Sequence, residues 1–443
     1  MGSFVANTLQ QQKEMLEEIG KDRIEALFEQ IPDTVRLKEN LNLPSGMSEL
    51  EVVRWMETLA EKNRVYRHIF RGAGAYNHYI PAAVQSIAGK EEFLTAYTPY
   101  QPEISQGILQ AIFEYQTMIC ELTGMDAANA SVYDGACAAA EGAAMCLDRK
   151  RRKVLVSAAV HPMQAEVIRT YCFGNGAEMI QIPEKDGITD LDALKAVADK
   201  ETACFYACQP NFYGMLEEYD RMGRILDDAG ARFILGCNPI SLAILKTPAE
   251  YGADIAVGDG QPLGMPLGFG GPYLGFMAVK TDLMRKLPGR IVGETHDSDG
   301  QRAYVLTLQA REQHIRREKA GSNICSNQAH CALTASVYMA VMGTSGMEKA
   351  AIQCVSKAHY LQKGLERAGL KPKYPGEFFH EFVTVSHISS SIILNALESR
   401  GILGGLPLNE NEILWCCTEL NRKEDMDLVI ETVGEVRKNA VDF

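Results

Sequence analysis

The stretch Asp254-Ile-Ala-Val-Gly-Asp-Gly-Gln-Pro-Leu-Gly-Met-Pro-Leu-Gly-Phe-Gly-Gly-Pro272 joins a short apolar run to a long segment of glycine and proline. Its first residues are apolar and β-prone, and the remainder contains too much glycine and proline for a helix or a central strand. Glycine lets the backbone take φ > 0 or approach another group closely. The stretch therefore predicts a strand followed by a loop, shaped either for close contact with a ligand or simply for the surface.

Strands and helices alternate on both sides of this stretch, between residues 150 and 280. Apolar runs predict strands at Val154–Val160, Ala177–Ile182, Ala203–Gln209, Arg232–Leu235, Asp254–Val257 and Tyr273–Val279. Two further runs predict helices at Leu191–Asp199 and Arg221–Ala229. This alternation predicts an α/β fold with a mainly parallel sheet that is covered on both faces.

Polar side chains follow several of these strands at their carboxyl ends. His161, Asn211 and Asn238 each come shortly after a predicted strand, where open α/β sheets place their ligands. The sequence has neither Gly-x-Gly-x-x-Gly after a first strand nor Gly-x-x-x-x-Gly-Lys-Ser/Thr. The pattern thus predicts a ligand site at this edge of the sheet and gives no support to the common nucleotide-binding folds.

The chain of 443 residues is long enough for two or three domains. Residues 1–70 are charged and helix-prone, and they predict a helical N-terminal arm in which Ser48 and Glu51 form a capping box. Residues 71–330 predict the large α/β domain. Residues 331–443 predict a separate, smaller α+β domain.

Two segments of the large domain are candidates for a binding site. Tyr97 and Tyr100 lie on a proline-containing loop whose hydroxyl groups suit a small-molecule pocket, although the rings could equally pack beneath the loop. A tight turn at Asp134-Gly135-Ala136 opens a helix of small residues, whose free N–H groups can hold a phosphate. Close packing of that helix against the sheet would also require small residues, and both explanations can hold together.

Composition excludes several classes of protein. The net charge of −13 argues against nucleic-acid and anionic-membrane partners. The sequence contains no run of 18 apolar residues, and its first residues lack the pattern of a secretory signal, so we expect a cytoplasmic protein. The 12 cysteines are scattered through apolar segments, as is typical of reduced thiols, and neither they nor the nine histidines have zinc-site spacing. We therefore expect no metal.

Three long motifs resemble one known family over about residues 60–440. They are Ala96-Tyr-Thr-Pro-Tyr-Gln-Pro-Glu-Ile-Ser-Gln-Gly107, Tyr133-Asp-Gly-Ala136, and Arg311-Glu-Gln-His-Ile-Arg-Arg-Glu-Lys-Ala320 with Ser322-Asn-Ile-Cys325. They are similar to glycine decarboxylase, the P-protein of the glycine cleavage system. The resemblance implies the aminotransferase-like type I fold of pyridoxal phosphate (PLP) enzymes, with a seven-stranded type of sheet. It also implies decarboxylation of PLP-bound glycine and transfer of the aminomethyl group to the lipoyl H-protein, in a system with T- and L-proteins.

Some residues match the cofactor site that the resemblance implies. His161 matches the histidine that stacks on the PLP ring, and Asp134, Gly135 and Ala136 stand where the phosphate turn belongs. Two further requirements of PLP chemistry are a lysine for the Schiff base and a carboxylate at the pyridinium nitrogen. The residues at the lysine position and at the carboxylate position show whether this chain meets these two requirements.

Neither the lysine nor the carboxylate is present where the family has it. Leu235 replaces the carboxylate of an Asp-Gly-Ala-Asn segment, and Pro262 stands in the place of the lysine of Asn-Leu-His-Lys. No lysine occurs between Thr247 and Val279, and Lys246 and Lys280 fall outside the expected position. The resemblance is therefore to subunit 1 of the split, two-subunit enzyme, which lacks the PLP lysine.

This resemblance implies half of an enzyme, a heterotetramer in which PLP is bound covalently to subunit 2. Gly321, Ser322 and Asn323 match a segment that reaches the neighbouring subunit's phosphate, and Tyr97 and Tyr100 are candidates for lining the shared pocket. Two alternatives remain: a self-sufficient PLP enzyme that uses Lys246 or Lys280, and a non-catalytic scaffold or regulatory protein that reuses the fold.

Overall fold

The computed structural model describes residues 6–39, 41–268 and 270–441. The predictions made for residues 1–5, for Asn40 within the arm and for Phe269 within the glycine-rich loop lie outside these residues. The chain forms two compact units that divide between Arg64 and Val65. The three-part division at residues 70 and 330 remains a prediction.

Within its described residues, the first unit contains two helices and a 3-10 turn. The helices are α1 (Leu9–Glu18) and α2 (Glu49–Ala60), and the turn is Ile24–Phe28. The hydroxyl of Ser48 accepts a hydrogen bond from the Glu51 N–H at 3.3 Å, and the Glu51 carboxylate accepts one from the Ser48 N–H at 2.7 Å. The predicted capping box is thus confirmed, and it satisfies two donors at the start of α2.

The second unit contains eleven helices and seventeen strands within the residues that the structure describes. The helices are α3 (Ala82–Ala88), α4 (Glu91–Leu94), α5 (Gln106–Thr123), α6 (Gly135–Cys146), α7 (Pro162–Asn175), α8 (Leu191–Val197), α9 (Tyr219–Ala229), α10 (Gln313–Arg316), α11 (Ala329–Ala368), α12 (Ser390–Ser399) and α13 (Lys423–Val441). The strands are β1 (His68–Ile69), β2 (Ala127–Ala128), β3 (Lys153–Ser157), β4 (Glu178–Ile182), β5 (Glu184–Lys185), β6 (Ile188–Thr189), β7 (Thr202–Gln209), β8 (Arg232–Cys237), β9 (Ile255–Asp259), β10 (Gly275–Val279), β11 (Ile291–His296), β12 (Arg302–Thr307), β13 (Lys371–Pro372), β14 (Glu381–Val385), β15 (Ile402–Leu403), β16 (Leu406–Pro407) and β17 (Glu412–Cys416).

A seven-stranded sheet forms the centre of this unit, in the order β2-β10-β9-β8-β7-β3-β4. Strands β9, β8, β7, β3 and β4 run parallel, and β10 is antiparallel to both β9 and β2. One apolar cluster, with Phe205 and Phe233, packs on one face, and another, with Ile234 and Ile255, packs on the other. The strands are nearly all apolar because both faces are covered, and the predicted mainly parallel sheet is confirmed.

A smaller antiparallel sheet, in the order β13-β14-β17-β16, follows in the C-terminal part of the chain. Helices α12 and α13 and the end of α11 contribute to its core, in which Trp415 is fully buried. Helix α11 is interrupted at Gly343, where φ is 59° and ψ is 178°. Phe70 also belongs to this core, and strand β1, which directly precedes it, pairs with β15. Among the described residues no helix is long and apolar enough to cross a bilayer.

Candidate functional site

A cavity of about 80 Å³ lies at the carboxyl ends of the parallel strands. Its walls come from the segments that follow β3, β7, β8 and β9, and they include His161, Asn211, Gly236, Cys237, Asn238, Gly258, Asp259 and Pro262. The structure therefore brings together the three polar residues that the sequence places after separate strands. This is the position at which doubly wound sheets bind ligands.

His161 is held by both of its ring nitrogens. It precedes α7, where Nδ1 accepts a hydrogen bond from the Met163 N–H at 3.1 Å, so Nε2 carries the proton and donates to the Ala73 carbonyl at 3.1 Å. Burial lowers the pKa of His161, which favours this neutral form. A Cβ atom on Gly74 would lie 3.2 Å from the imidazole, so the chain's own loop lies against the ring.

The predicted phosphate turn at the start of α6 is occupied by carboxylates of the same chain. Asp134 is the N-cap, and its Oδ1 accepts the Cys137 N–H at 2.8 Å. The Gly135 N–H donates to Oδ2 of Asp259 at 3.1 Å. A Cβ atom on Gly135 would lie 2.8 Å from the backbone nitrogen of Asp259, so the helix packs directly against the end of β9. The small residues of the turn therefore serve close packing.

Asp259 is a site residue that the sequence does not reveal. Its Oδ1 accepts the Gln261 N–H at 2.9 Å, and its Oδ2 binds the start of α6. Burial raises the pKa of Asp259 to about 6, an effect opposed by the N–H groups of Gln261 and Gly135 and reinforced by Asp134. The residue is separated from Gly135 by 124 positions, so only the fold brings the two together.

Gln261, which with Pro262 stands where the resemblance implies the lysine of the catalytic subunit, holds neighbouring segments together in this chain. Gln261 is 1% exposed, and its side chain accepts the Tyr76 N–H at 2.8 Å and donates to the carbonyls of Tyr76 at 2.9 Å and Met265 at 2.8 Å. Pro262 lines the cavity. The side-chain amide therefore fixes the Tyr76 segment across the cavity edge.

Leu235 lies in the apolar core and not in the cavity wall. It is fully buried in the cluster that contains Phe205 and Phe233, whereas the wall on this strand is made by Gly236 and Cys237. A Cβ atom on Gly236 would lie 2.5 Å from the Tyr206 hydroxyl. Strand β8 thus offers no carboxylate to the cavity.

The two lysines nearest in sequence bind carboxylates away from the cavity. Lys246 Nζ lies 3.2 Å from Asp220 Oδ2, and Lys280 Nζ lies 3.4 Å from Asp254 Oδ1. Among the described residues that line the cavity there is no lysine. Small-molecule sites have volumes from about 300 Å³ upward, so this cavity is also too small. The residues present do not fit a bound PLP.

A second cavity, of about 330 Å³, contains Gly321 and Ser322. Ser322 Oγ donates to Glu141 Oε1 at 3.0 Å, and the Tyr171 hydroxyl donates to the same atom at 3.2 Å. Burial raises the pKa of Glu141. Space around Gly321 is open, with no atom within 4 Å of a Cβ placed there, and Asn323 is exposed.

Basic side chains dominate the rest of this second cavity. It is lined by Arg285, Lys286, Arg311, Arg316 and Lys319, against the two acids Glu141 and Glu312. Buried polar atoms at or near its edge have no hydrogen-bond partner: Arg290 Nε, Arg311 Nε, Glu312 Oε1 and Asn327 Nδ2. Buried polar groups in folded proteins are normally satisfied. The charged lining of the second cavity is mainly basic.

The two tyrosines of the proline-containing loop differ in their surroundings. Tyr97 is 94% exposed. The Tyr100 hydroxyl donates to Asn327 Oδ1 at 2.7 Å, and the Arg290 guanidinium lies 4.2 Å from the centre of its ring. Neither residue lines the first cavity. Tyr97 thus remains free to meet another molecule, while Tyr100 helps to hold its own loop.

Behind the first cavity lies a buried acid that the sequence also does not reveal. The carboxylate of Glu381 accepts the Ala73 N–H at 2.7 Å and the Tyr76 hydroxyl at 2.8 Å. Burial raises the pKa of Glu381 to about 7. The contact links β14 of the smaller sheet to the segment that covers His161. No local pattern could predict it, because 305 positions separate Tyr76 from Glu381.

The seven-stranded mainly parallel sheet, the site at its carboxyl ends and the smaller C-terminal sheet define an aminotransferase-like protein, with the type I fold of PLP-dependent enzymes. An alanine–glyoxylate aminotransferase from Nostoc sp. shares this fold, with a TM-score of 0.61 and 16% identity over 90% of this chain and 100% of that chain. The predicted fold class is confirmed.

The chain belongs to the glycine cleavage system P-protein family, whose model matches residues 2–433. A relative from Moorella thermoacetica, named glycine dehydrogenase (decarboxylating) subunit 1, is 50% identical over 97% of this chain and 98% of that protein. A crystal structure of glycine decarboxylase (P-protein) in inhibitor-bound form superposes with a TM-score of 0.92 and 42% identity, over 98% of this chain and 100% of that chain. The resemblance seen in the motifs is confirmed, and the relative's name implies a second subunit.

Proposed function

We propose that this chain is subunit 1 of a two-subunit glycine decarboxylase. With its partner it decarboxylates glycine and transfers the aminomethyl group to the lipoyl H-protein. The T- and L-proteins complete the system, in the cytoplasm. PLP is bound covalently to the partner subunit, and this chain supplies no catalytic residue of its own.

One observation gives the main support for assigning the PLP to the partner subunit and no catalytic residue to this chain. The chain has the fold of the family over its whole described length, yet no lysine lines the cavity at the carboxyl ends of its strands. A Schiff base requires a lysine amine within reach of the cofactor. A chain with this fold and without that amine contributes to the reaction through another subunit.

The second cavity is our candidate for the face that meets the partner. Gly321 has open space around it, Ser322 and Asn323 follow, and several cations surround them. We propose that the backbone of this segment approaches the phosphate of the partner's PLP and that the nearby cations favour that anion. The exposed Tyr97 lines the shared pocket, and Tyr100 positions the loop from which it projects.

Exchange of isotopic CO2 with the carboxyl group of glycine tests the proposal. This chain, the partner subunit and the reconstituted complex are each assayed with PLP, with and without H-protein. We expect exchange from the complex and none from this chain alone. Full exchange by the partner alone would assign this chain to a scaffold, and exchange by this chain alone would make it self-sufficient.

A further inference from the structure

We infer that the carboxylate of Asp259 is a built-in substitute for a phosphate group at the start of α6, and that it keeps the first cavity closed to phosphate-bearing ligands. The inference concerns this chain's own cavity and holds whether or not the proposed partner exists. It goes beyond the missing lysine, because it identifies the Asp259 carboxylate as the group that takes the position of a ligand's phosphate.

The geometry at the helix start carries the inference. A helix N-terminus presents unsatisfied N–H donors, and a phosphate normally binds there through them. Here the Gly135 N–H donates to Asp259 Oδ2 at 3.1 Å, and the Cys137 N–H donates to Asp134 Oδ1 at 2.8 Å. The close approach of Gly135 to the Asp259 backbone places the carboxylate directly at the helix start, where it accepts the N–H that a phosphate would otherwise take.

Asp259 is held in this position from its other side as well. Its Oδ1 accepts the Gln261 N–H at 2.9 Å, and Gln261 is in turn fixed by hydrogen bonds to both backbone groups of Tyr76. The segment Asp259–Gln261 and the Tyr76 segment thus close the cavity together. An anion entering here would have to displace a charge-assisted hydrogen bond and lie beside two carboxylates.

Removal of the carboxylate tests the inference directly. The full-length chain and its Asp259→Ala variant are titrated with inorganic phosphate, with binding measured by equilibrium dialysis and stability by thermal unfolding. Loss of the competing carboxylate frees the Gly135 N–H, so phosphate affinity should rise by about tenfold or more. The variant should melt below the wild-type chain in phosphate-free buffer and recover with phosphate, whereas the melting temperature of the wild-type chain should not respond.

Asp134→Asn is the matched control. It removes one negative charge from the same helix start, keeps a good N-cap residue and leaves Asp259 in place. We expect no gain in phosphate affinity. An equal gain in both variants would show that local charge, rather than occupation of the donor, excludes phosphate, and would overturn the inference.

A folded Asp259→Ala variant that binds phosphate no better than the wild-type chain would also overturn it. If that variant does not fold, as judged by circular dichroism, Asp259→Asn replaces it. The amide oxygen is a weaker partner for the Gly135 N–H than a carboxylate, so the same phosphate-dependent rise in melting temperature is expected. Its absence in a folded Asp259→Asn variant contradicts the inference.

Discussion

At the residue scale, two buried acids near the first cavity hold segments of the chain that are distant in sequence. Asp259 and Glu381 both lie in surroundings that raise their pKa, to about 6 and about 7 respectively. Both accept hydrogen bonds from segments that close the cavity. Both side chains therefore join distant parts of the chain.

The raised pKa of Glu381 predicts a pH-dependent stability. The ordinary pKa is 4.5, so between that value and about 7 the folded state binds more protons than the unfolded state. The free energy of unfolding should therefore fall as the pH rises through this window, by on the order of 3 kcal/mol at full ionisation. Urea unfolding between pH 5 and pH 8 measures how steeply the free energy of unfolding falls with pH. The Glu381→Gln substitution should make this slope smaller.

Glu121→Gln provides the control for that measurement, since Glu121 is exposed on α5. Its slope should match that of the wild-type chain. Equal slopes for the wild-type and Glu381→Gln chains would mean that Glu381 is ionised in the folded state, and the explanation given for its pKa would be wrong.

At the element scale, local patterns predict the strands and helices well, and contacts across the chain decide the site. The apolar run ending at Val257 predicts β9, but the strand continues to Asp259 because Gly258 and Asp259 pair with Phe276 and Gly275. The capping box at Ser48 was predictable because its partners are three residues apart. The bond from Gly135 to Asp259 was not, because a turn of small residues is compatible with a phosphate and with close packing alike.

A larger side chain at Gly321 should cover the backbone of this segment and so cause the partner subunit to lose its cofactor. Gly321→Val places a β-branched side chain in open space, so this chain should fold normally while its backbone no longer approaches the partner's phosphate. The reconstituted complex should release PLP more readily, as measured by absorbance after dialysis. Gly46→Val, at another exposed glycine that has open space and no positive φ, tests for unspecific effects of the substitution. Unchanged PLP retention in the Gly321→Val complex would exclude a phosphate contact.

We expect substitutions of Tyr97 and Tyr100 in the proline-containing loop to affect activity and stability differently. Tyr97→Phe should lower the activity of the complex without changing the stability of the chain, because the hydroxyl is exposed. Tyr100→Phe should cost about 1 kcal/mol of stability, because its hydrogen bond to Asn327 is lost. Activity assays on the complex and urea unfolding of the chain separate the two. The reverse pattern would assign Tyr97 to packing and Tyr100 to the shared pocket.

At the scale of the whole molecule, the chain combines the type I fold with a small central cavity and a second cavity whose charged lining is mainly basic. The family fold extends over the whole described chain, whereas the cavity at its centre is small and held shut by Asp259, Gln261 and Tyr76. The second cavity, which contains Gly321 and Ser322, is larger. This second cavity is the one that we propose to meet the partner subunit.

The absence of a cofactor lysine is the central claim, and borohydride reduction tests it most directly. The chain alone and the complex are incubated with PLP, freed of excess cofactor, reduced, and mapped by mass spectrometry of their peptides. We predict no stoichiometric pyridoxyl-lysine in this chain and one such residue in its partner. A stoichiometric adduct on Lys246, Lys280 or any other lysine of this chain would contradict the claim.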